Sequence, residues 1–102
     1  MTTTQAKNLW SAYVVHLAED RTQGRVAEMV GGTTNQTTVG RWLSGAKVPT
    51  DAATAAQFAR AFGRNPLEAF VAAGMLEESE AGRGLSDESR RLLSGLKARV
   101  TA

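Results

Sequence analysis

The sequence predicts an all-α fold, and two features of it carry the prediction. Alanine is abundant, while prolines number two and aromatic residues six in 102, a balance that favours helix over sheet. Apolar residues recur at helical spacing in one block after another, with small polar caps and glycines between the blocks. A chain of this length buries one modest core and has no room for a separate large catalytic or ligand-binding domain.

The first helix is predicted over residues 4–18, where Leu9, Trp10, Tyr13, Val14 and Leu17 form one wide apolar face. Thr22 is a good N-cap for a second helix that opens at Gln23 and buries Val26, Ala27 and Val30, with Met29 at the edge. Its N3 position is Arg25, so the acid of a capping box is missing. Gly31-Gly32 ends it. A third helix is predicted over 36–44, with Asn35 as N-cap and Gly45 as C-cap. Val39, Trp42 and Leu43 face inward at i, i+3, i+4, which leaves Gln36, Thr37, Thr38 and Arg41 outward. A fourth helix follows Pro49-Thr50, with Asp51 at its positive end. It buries Ala55, Phe58, Ala59 and Phe62. Asn65-Pro66-Leu67-Glu68 is a helix start with N-cap, proline at N1 and acid at N3. That fifth helix buries Leu67, Phe70 and Val71 and stops at Gly74. Residues 77–86 read as a polar, glycine-containing linker, and 87–102 as a C-terminal amphipathic helix with Leu92, Leu93, Leu96 and Val100 on one side. Residues 1–76 form the predicted domain and hold its whole core, so the C-terminal helix is free to pack on its own bundle or on a second copy.

The net charge of +2 is unevenly spread. Residues 21–64 carry six bases against two acids, residues 65–88 six acids against one base, and the tail from Ser89 four bases. The segment containing the second and third helices is therefore basic and the following one acidic. The chain has no cysteine, which removes disulfides and thiolate metal sites and fits the cytoplasm. No apolar run approaches a membrane span, and MTTTQAKNLW lacks the pattern of a signal peptide. No enzyme is expected. His16 is the only histidine and lies within the first helix, and Glu77, Glu78 and Glu80 form a run without a rigid ligand framework. The glycines after Val30 follow no strand, so no phosphate-binding loop is implied. No cofactor and no metal are expected.

The order of Gln23, Val26-Ala27, Gln36-Thr37-Thr38-Val39, Ser44-Gly45 and Pro49 resembles the lambda-repressor-like, Cro/repressor-type helix-turn-helix family. Gln23 matches the glutamine that opens the family's second helix, and Gln36-Thr37-Thr38-Val39 the start of its recognition helix. The resemblance runs from the second helix through the fifth and implies a five-helix bundle, with the C-terminal helix added. Two departures stand out. The connection between the second and third helices is about two residues longer than the family's tight turn, a small entropic cost that re-aims the third helix. Trp42 stands where the family has a smaller aliphatic residue, and fills core space beside Val39.

The function implied is sequence-specific binding of double-stranded DNA by a transcriptional regulator, a repressor of bacterial or phage type, cytoplasmic and nucleoid-associated when bound. The third helix enters the major groove. Gln36 can pair with adenine N6 and N7, Thr37 and Thr38 can meet a base edge or thymine methyl, and Arg41 can reach guanine or phosphate. Gln23, Arg25, Asn35, Lys47 and Thr50 are the expected phosphate contacts. By resemblance, Gln23 also braces Gln36. Dimerisation is expected through the fifth helix with Met75-Leu76, or through the C-terminal helix; a monomer reading tandem or asymmetric sites is the other arrangement. The competing reading is an antitoxin or accessory module that uses the same fold to hold a protein partner, supported by the acidic 65–88 segment and the detached C-terminal helix.

Overall fold

The computed structural model describes residues 6–100. Among them run seven α-helices and no strand: α1 (Leu9–Ala18), α2 (Gln23–Val30), α3 (Gln36–Ser44), α4 (Ala52–Ala61), α5 (Pro66–Ala72), α6 (Glu78–Ala81) and α7 (Asp87–Lys97), with a 3₁₀ turn at Gly82–Gly84 between the last two. No helix is long and apolar enough to cross a membrane.

Each of the first five helices starts where a short polar side chain accepts a bond from the first turn. Asn8, Thr22, Asn35, Asp51 and Asn65 cap α1 to α5 in turn. The predicted start of α1 is corrected: Asn8 Oδ1 accepts from the Ser11 N–H at 2.8 Å, so the helix begins at Leu9. Residues 4 and 5 of the predicted helix lie outside the described residues. Ala6 instead makes a single parallel bridge to Val100, its N–H donating to the Arg99 carbonyl at 3.0 Å.

α1 is central and packs on α3, α5 and α7. Its Trp10, Tyr13 and Val14 are fully buried. Trp42 of α3 and Phe58 of α4 close on Trp10, with ring centroids 5.4 and 5.2 Å away, and Trp42 meets both rings edge-on. Such pairs add about 0.5–1.5 kcal/mol each beyond the area they bury. Val26, Ala27 and Val30 of α2 and Val39 of α3 complete this core, as their spacing predicts.

Two expectations about the C-terminal third are overturned. Residues 77–86 are structured: α6 carries a Glu77/Glu80 capping box, and Leu85 is buried. The core does not end at Leu76, because Leu93 and Leu96 of α7 are buried in the same cluster as Trp10 and Tyr13. Hydropathy spacing found the stripe on α7, but a linker of polar residues concealed that the stripe has nowhere to go except back onto α1 and α5.

A further correction concerns the buried face of α5. Glu68, the acid at N3 of the helix start, is 1% exposed. The burial face of α5 is accordingly turned to Glu68, Ala69, Val71 and Ala72, with Leu67 and Phe70 only half-buried. Arg64 holds the carboxylate with two parallel bonds, Nε to Oε1 at 2.9 Å and Nη2 to Oε2 at 2.6 Å. Ser89 of α7 and the Tyr13 hydroxyl of α1 donate to it as well. Arg64 also reaches Glu88 at 3.3 Å. One carboxylate thus ties α1, α5 and α7 together. Burial alone pushes the Glu68 carboxyl up, but the bonds from Arg64, Ser89 and Tyr13 outweigh it and leave the group below its ordinary value. Burial, then the Glu68 charge, pushes the Tyr13 hydroxyl up, so it stays a donor.

Two predictions follow from this C-terminal anchoring. Ending the chain at Gly84 removes Leu85, Leu93 and Leu96; at roughly 1.5–3 kcal/mol per buried aliphatic side chain, the loss is roughly 5–9 kcal/mol, comparable with a small domain's whole stability. The shortened chain is expected to lose its cooperative thermal transition by circular dichroism, and a sharp melt like the parent's would show the helix to be dispensable. For Glu68, the folded-state value lies below the unfolded value of 4.5, so its contribution is complete above that pH. It is lost as pH falls through the lowered folded value. Glu68→Gln should lower the melting temperature near neutrality and flatten its fall below pH 4.5; parallel profiles would show that Glu68 does not titrate as described.

Candidate nucleic-acid interface

The arc of α3 that faces outward is set by the arc that is buried. Val39 and Trp42 are buried and Leu43 half-buried. At about 100° per residue, the positions Gln36, Gly40, Ser44, Thr37 and Arg41 fall within an arc of about 140° on the far side. Gln36, Thr37 and Arg41 are exposed there. Among the described residues none of them joins an ion pair or side-chain hydrogen bond, so their donors and acceptors are unspent there.

Thr38 stands apart. It is half-buried on the flank, and its hydroxyl donates to Asn35 Oδ1 at 3.1 Å, the same oxygen that caps α3. Of its predicted base-reading capacity, the acceptor lone pairs and the methyl remain. It lines a notch with Thr33, Thr34, Lys47 and Thr50. Asn35 likewise has its side-chain oxygen committed to the cap and only its amide NH₂ to offer.

Gln23 and Gln36, expected to brace one another, each lie instead over a glycine of the opposite helix across the α2–α3 contact. Gln36 lies over Gly24, with Oε1 3.6 Å from where a Cβ would stand. Gln23 lies over Gly40, with Oε1 3.0 Å from the corresponding point. The longer connection, residues 31–35, has a similar prop. Gly31 and Gly32 take φ of 73° and 62°, values that favour glycine. The Gln57 amide of α4 lies against Gly32, 3.0 Å from its Cβ position. The extra length is therefore supported from α4.

The far end of α3 is held by α1, through two residues the sequence reading missed. Asn8 Nδ2 donates to the Gly45 carbonyl at 3.2 Å, and Ser11 Oγ to the Leu43 carbonyl at 2.8 Å. These are last-turn acceptors that an isolated helix leaves open. Asn8 before Leu9 is a legible cap signal, but its second bond spans 37 residues and has no local trace.

Electrostatics are narrower than the charge sum implies. Arg64 is consumed by Glu68 and Glu88, and Arg21 pairs with Glu19 at 3.5 Å over the Phe62 ring. Arg25 pairs with Glu28 at 3.2 Å, an exposed contact worth little and open to competition by an anion. Among the described residues, Arg41, Lys47 and Arg60 make no ion pair. Two of these, Arg41 and Lys47, belong to α3 and the loop after it. Gln23, Arg25, Lys47 and Thr50 are all exposed.

No protein-family model, no curated protein and no solved structure matches this chain.

The clamp on α3 generates a prediction. Asn8→Ala removes both the α1 cap and the bond to Gly45, and should lower stability by about 1–2 kcal/mol in urea denaturation. Asn8→Asp keeps the capping oxygen and drops only the donor, so it should recover the cap's share. Equal midpoints for Asn8→Ala and the parent would show that neither bond contributes.

Proposed function

We propose that this chain is a sequence-specific double-stranded DNA-binding protein, a transcriptional regulator of repressor type. In this reading α1 to α5 form a lambda-repressor-like bundle, and α2 and α3 form its helix-turn-helix. The observation that carries it is the unspent polar arc of α3, whose opposite face is locked into the core by Trp42 and Val39. Gln36 supplies the paired donor and acceptor that suit adenine, Thr37 a hydroxyl and a methyl, and Arg41 a guanidinium for guanine or phosphate. Gly40 and Ser44 keep the ridge between them low, which suits close approach to a groove floor. Gln23, Arg25, Lys47 and Thr50 flank the arc and serve the phosphates. They set register and affinity while α3 supplies base choice. Asn35 and Thr38 are secondary, because each has a polar atom committed to the α3 cap.

A second copy would extend the footprint to two half-sites. Leu93 and Leu96 are consumed within the chain, so the surface left for dimerisation is the groove beside the end of α5, where Leu9, Val71, Met75 and Leu76 meet Glu77 and Glu78. The same groove favours the competing reading, an antitoxin or accessory module that grips a protein partner. Salt-dependent binding to duplex DNA by the isolated chain separates the two.

Selection of bound sites from random duplexes tests the function directly. On the selected site Gln36→Ala should cost about 1–3 kcal/mol and relax preference at one base pair. Lys47→Ala should weaken selected and random duplexes alike and lower the salt slope by about 1. Failure to enrich any sequence, or undiminished binding by Gln36→Ala, would remove α3 as the reading element.

A further inference from the structure

A glycine in a helix interior costs stability relative to alanine, because it loses more backbone freedom on folding. Gly40 is such a residue, in the middle of α3 with ordinary helical backbone, so no left-handed turn requires it. What lies over it is the Gln23 carboxamide. A Cβ at position 40 would stand 3.0 Å from Gln23 Oε1, 3.4 Å from Cδ and 3.6 Å from Nε2. All three atoms of the amide group rest on that one bare patch of backbone.

We propose that Gly40 is a positioning residue that acts through Gln23: the missing side chain is the seat that holds the Gln23 carboxamide between α2 and α3, at the edge of the α3 arc. The proposal rests on the DNA-binding reading above and assigns that site a residue which touches no base or phosphate itself. Gln23 is the first residue of α2, where unpaired backbone N–H groups already favour an anion. A carboxamide seated on Gly40 is fixed before DNA arrives, so its contact with a phosphate carries little ordering cost. An added methyl group does not break the helix. It lifts the carboxamide by a few tenths of an ångström or turns it out to solvent, because the obstructed atoms end a flexible side chain. The reciprocal contact is looser: a Cβ at Gly24 would meet Gln36 Oε1 at 3.6 Å, ordinary van der Waals distance. The structure therefore singles out Gly40 rather than both glycines.

The test uses the full chain, a duplex carrying a site selected from random DNA, and thermal melting alongside binding. Gly95→Ala is the control, since position 95 lies within α7 and a Cβ there meets nothing within 4 Å. Both alanine variants should melt at or above the parent's temperature. Gly95→Ala should bind as the parent does, and Gly40→Ala should bind about three- to tenfold more weakly, the worth of one hydrogen bond. In a Gln23→Ala background, Gly40→Ala should cause no further loss, as a double-mutant cycle requires of a residue that acts through another. Undiminished binding by Gly40→Ala overturns the proposal. So does an equal loss with and without Gln23, which would mean that the methyl group meets DNA directly. If the parent selects no duplex at all, it is the DNA-binding reading that fails, and the cycle is not reached.

Discussion

The burial of Trp42 against Trp10 and Phe58 is the constraint on which the rest of the arrangement depends. An aromatic side chain removes about 150–250 Å² from water, roughly 4–6 kcal/mol at 25 cal/mol/Å². That is far more than any surface bond on α3 could offset. Once the indole is in the core, the rotation of α3 is decided. Val39 follows it inward, Leu43 lies at the rim, and the arc from Gln36 to Arg41 is turned out. The polar face of α3 is thus a consequence of packing on the other side, and its side chains contribute little to holding the fold.

Polar contacts then fix what packing alone leaves adjustable. Asn8 and Ser11 hold the last carbonyls of α3, so the helix cannot slide along α1. The Glu68 carboxylate does the corresponding work for the C-terminal helix, gathering donors from Arg64, Tyr13 and Ser89. A buried ion pair of this kind adds less net stability than its short distances imply, because desolvation offsets most of the attraction. What it contributes is geometry: Ser89 ties α7 to the carboxylate that Arg64 and Tyr13 also hold. α1 contributes to both sets of ties, through Ser11 to one and Tyr13 to the other.

Much of this was legible in the residues. The caps at Thr22, Asn35 and Asn65 and the inward set of Val26, Val39 and Trp42 follow from periodicity and local hydrogen-bond chemistry, which act over a few residues. The bounds of α3 emerge unchanged for that reason. Contacts that span the chain were not legible. Arg64 stands four residues before Glu68, but an i,i+4 pair reads alike whether exposed or buried, and the other partners, Tyr13 and Ser89, are 55 and 21 residues away. The ordering of residues 77–86 was hidden because a polar, glycine-bearing stretch reads alike whether it is free or strapped to a body. On α3, hydropathy identified which side chains face out. It could not reveal that the Thr38 hydroxyl is committed to Asn35, or that three glutamine amides rest on three glycines around α2 and α3.

α3 is an outward-facing element with flanking cations, separate from the mixed apolar and acidic groove at the end of α5. These two surfaces belong to different sets of residues, so a bound molecule reports which one it uses. The most direct measurement is a titration of isotope-labelled protein with a selected duplex, followed by amide and side-chain NMR shifts. The account predicts that the largest changes fall on Gln36, Thr37 and Arg41 and on the flanking Gln23 and Lys47, while Met75, Leu76 and the α7 amides stay still or move only through a second copy. Changes centred on the Met75–Leu76 groove with α3 unmoved, or no change at any duplex concentration, would contradict it.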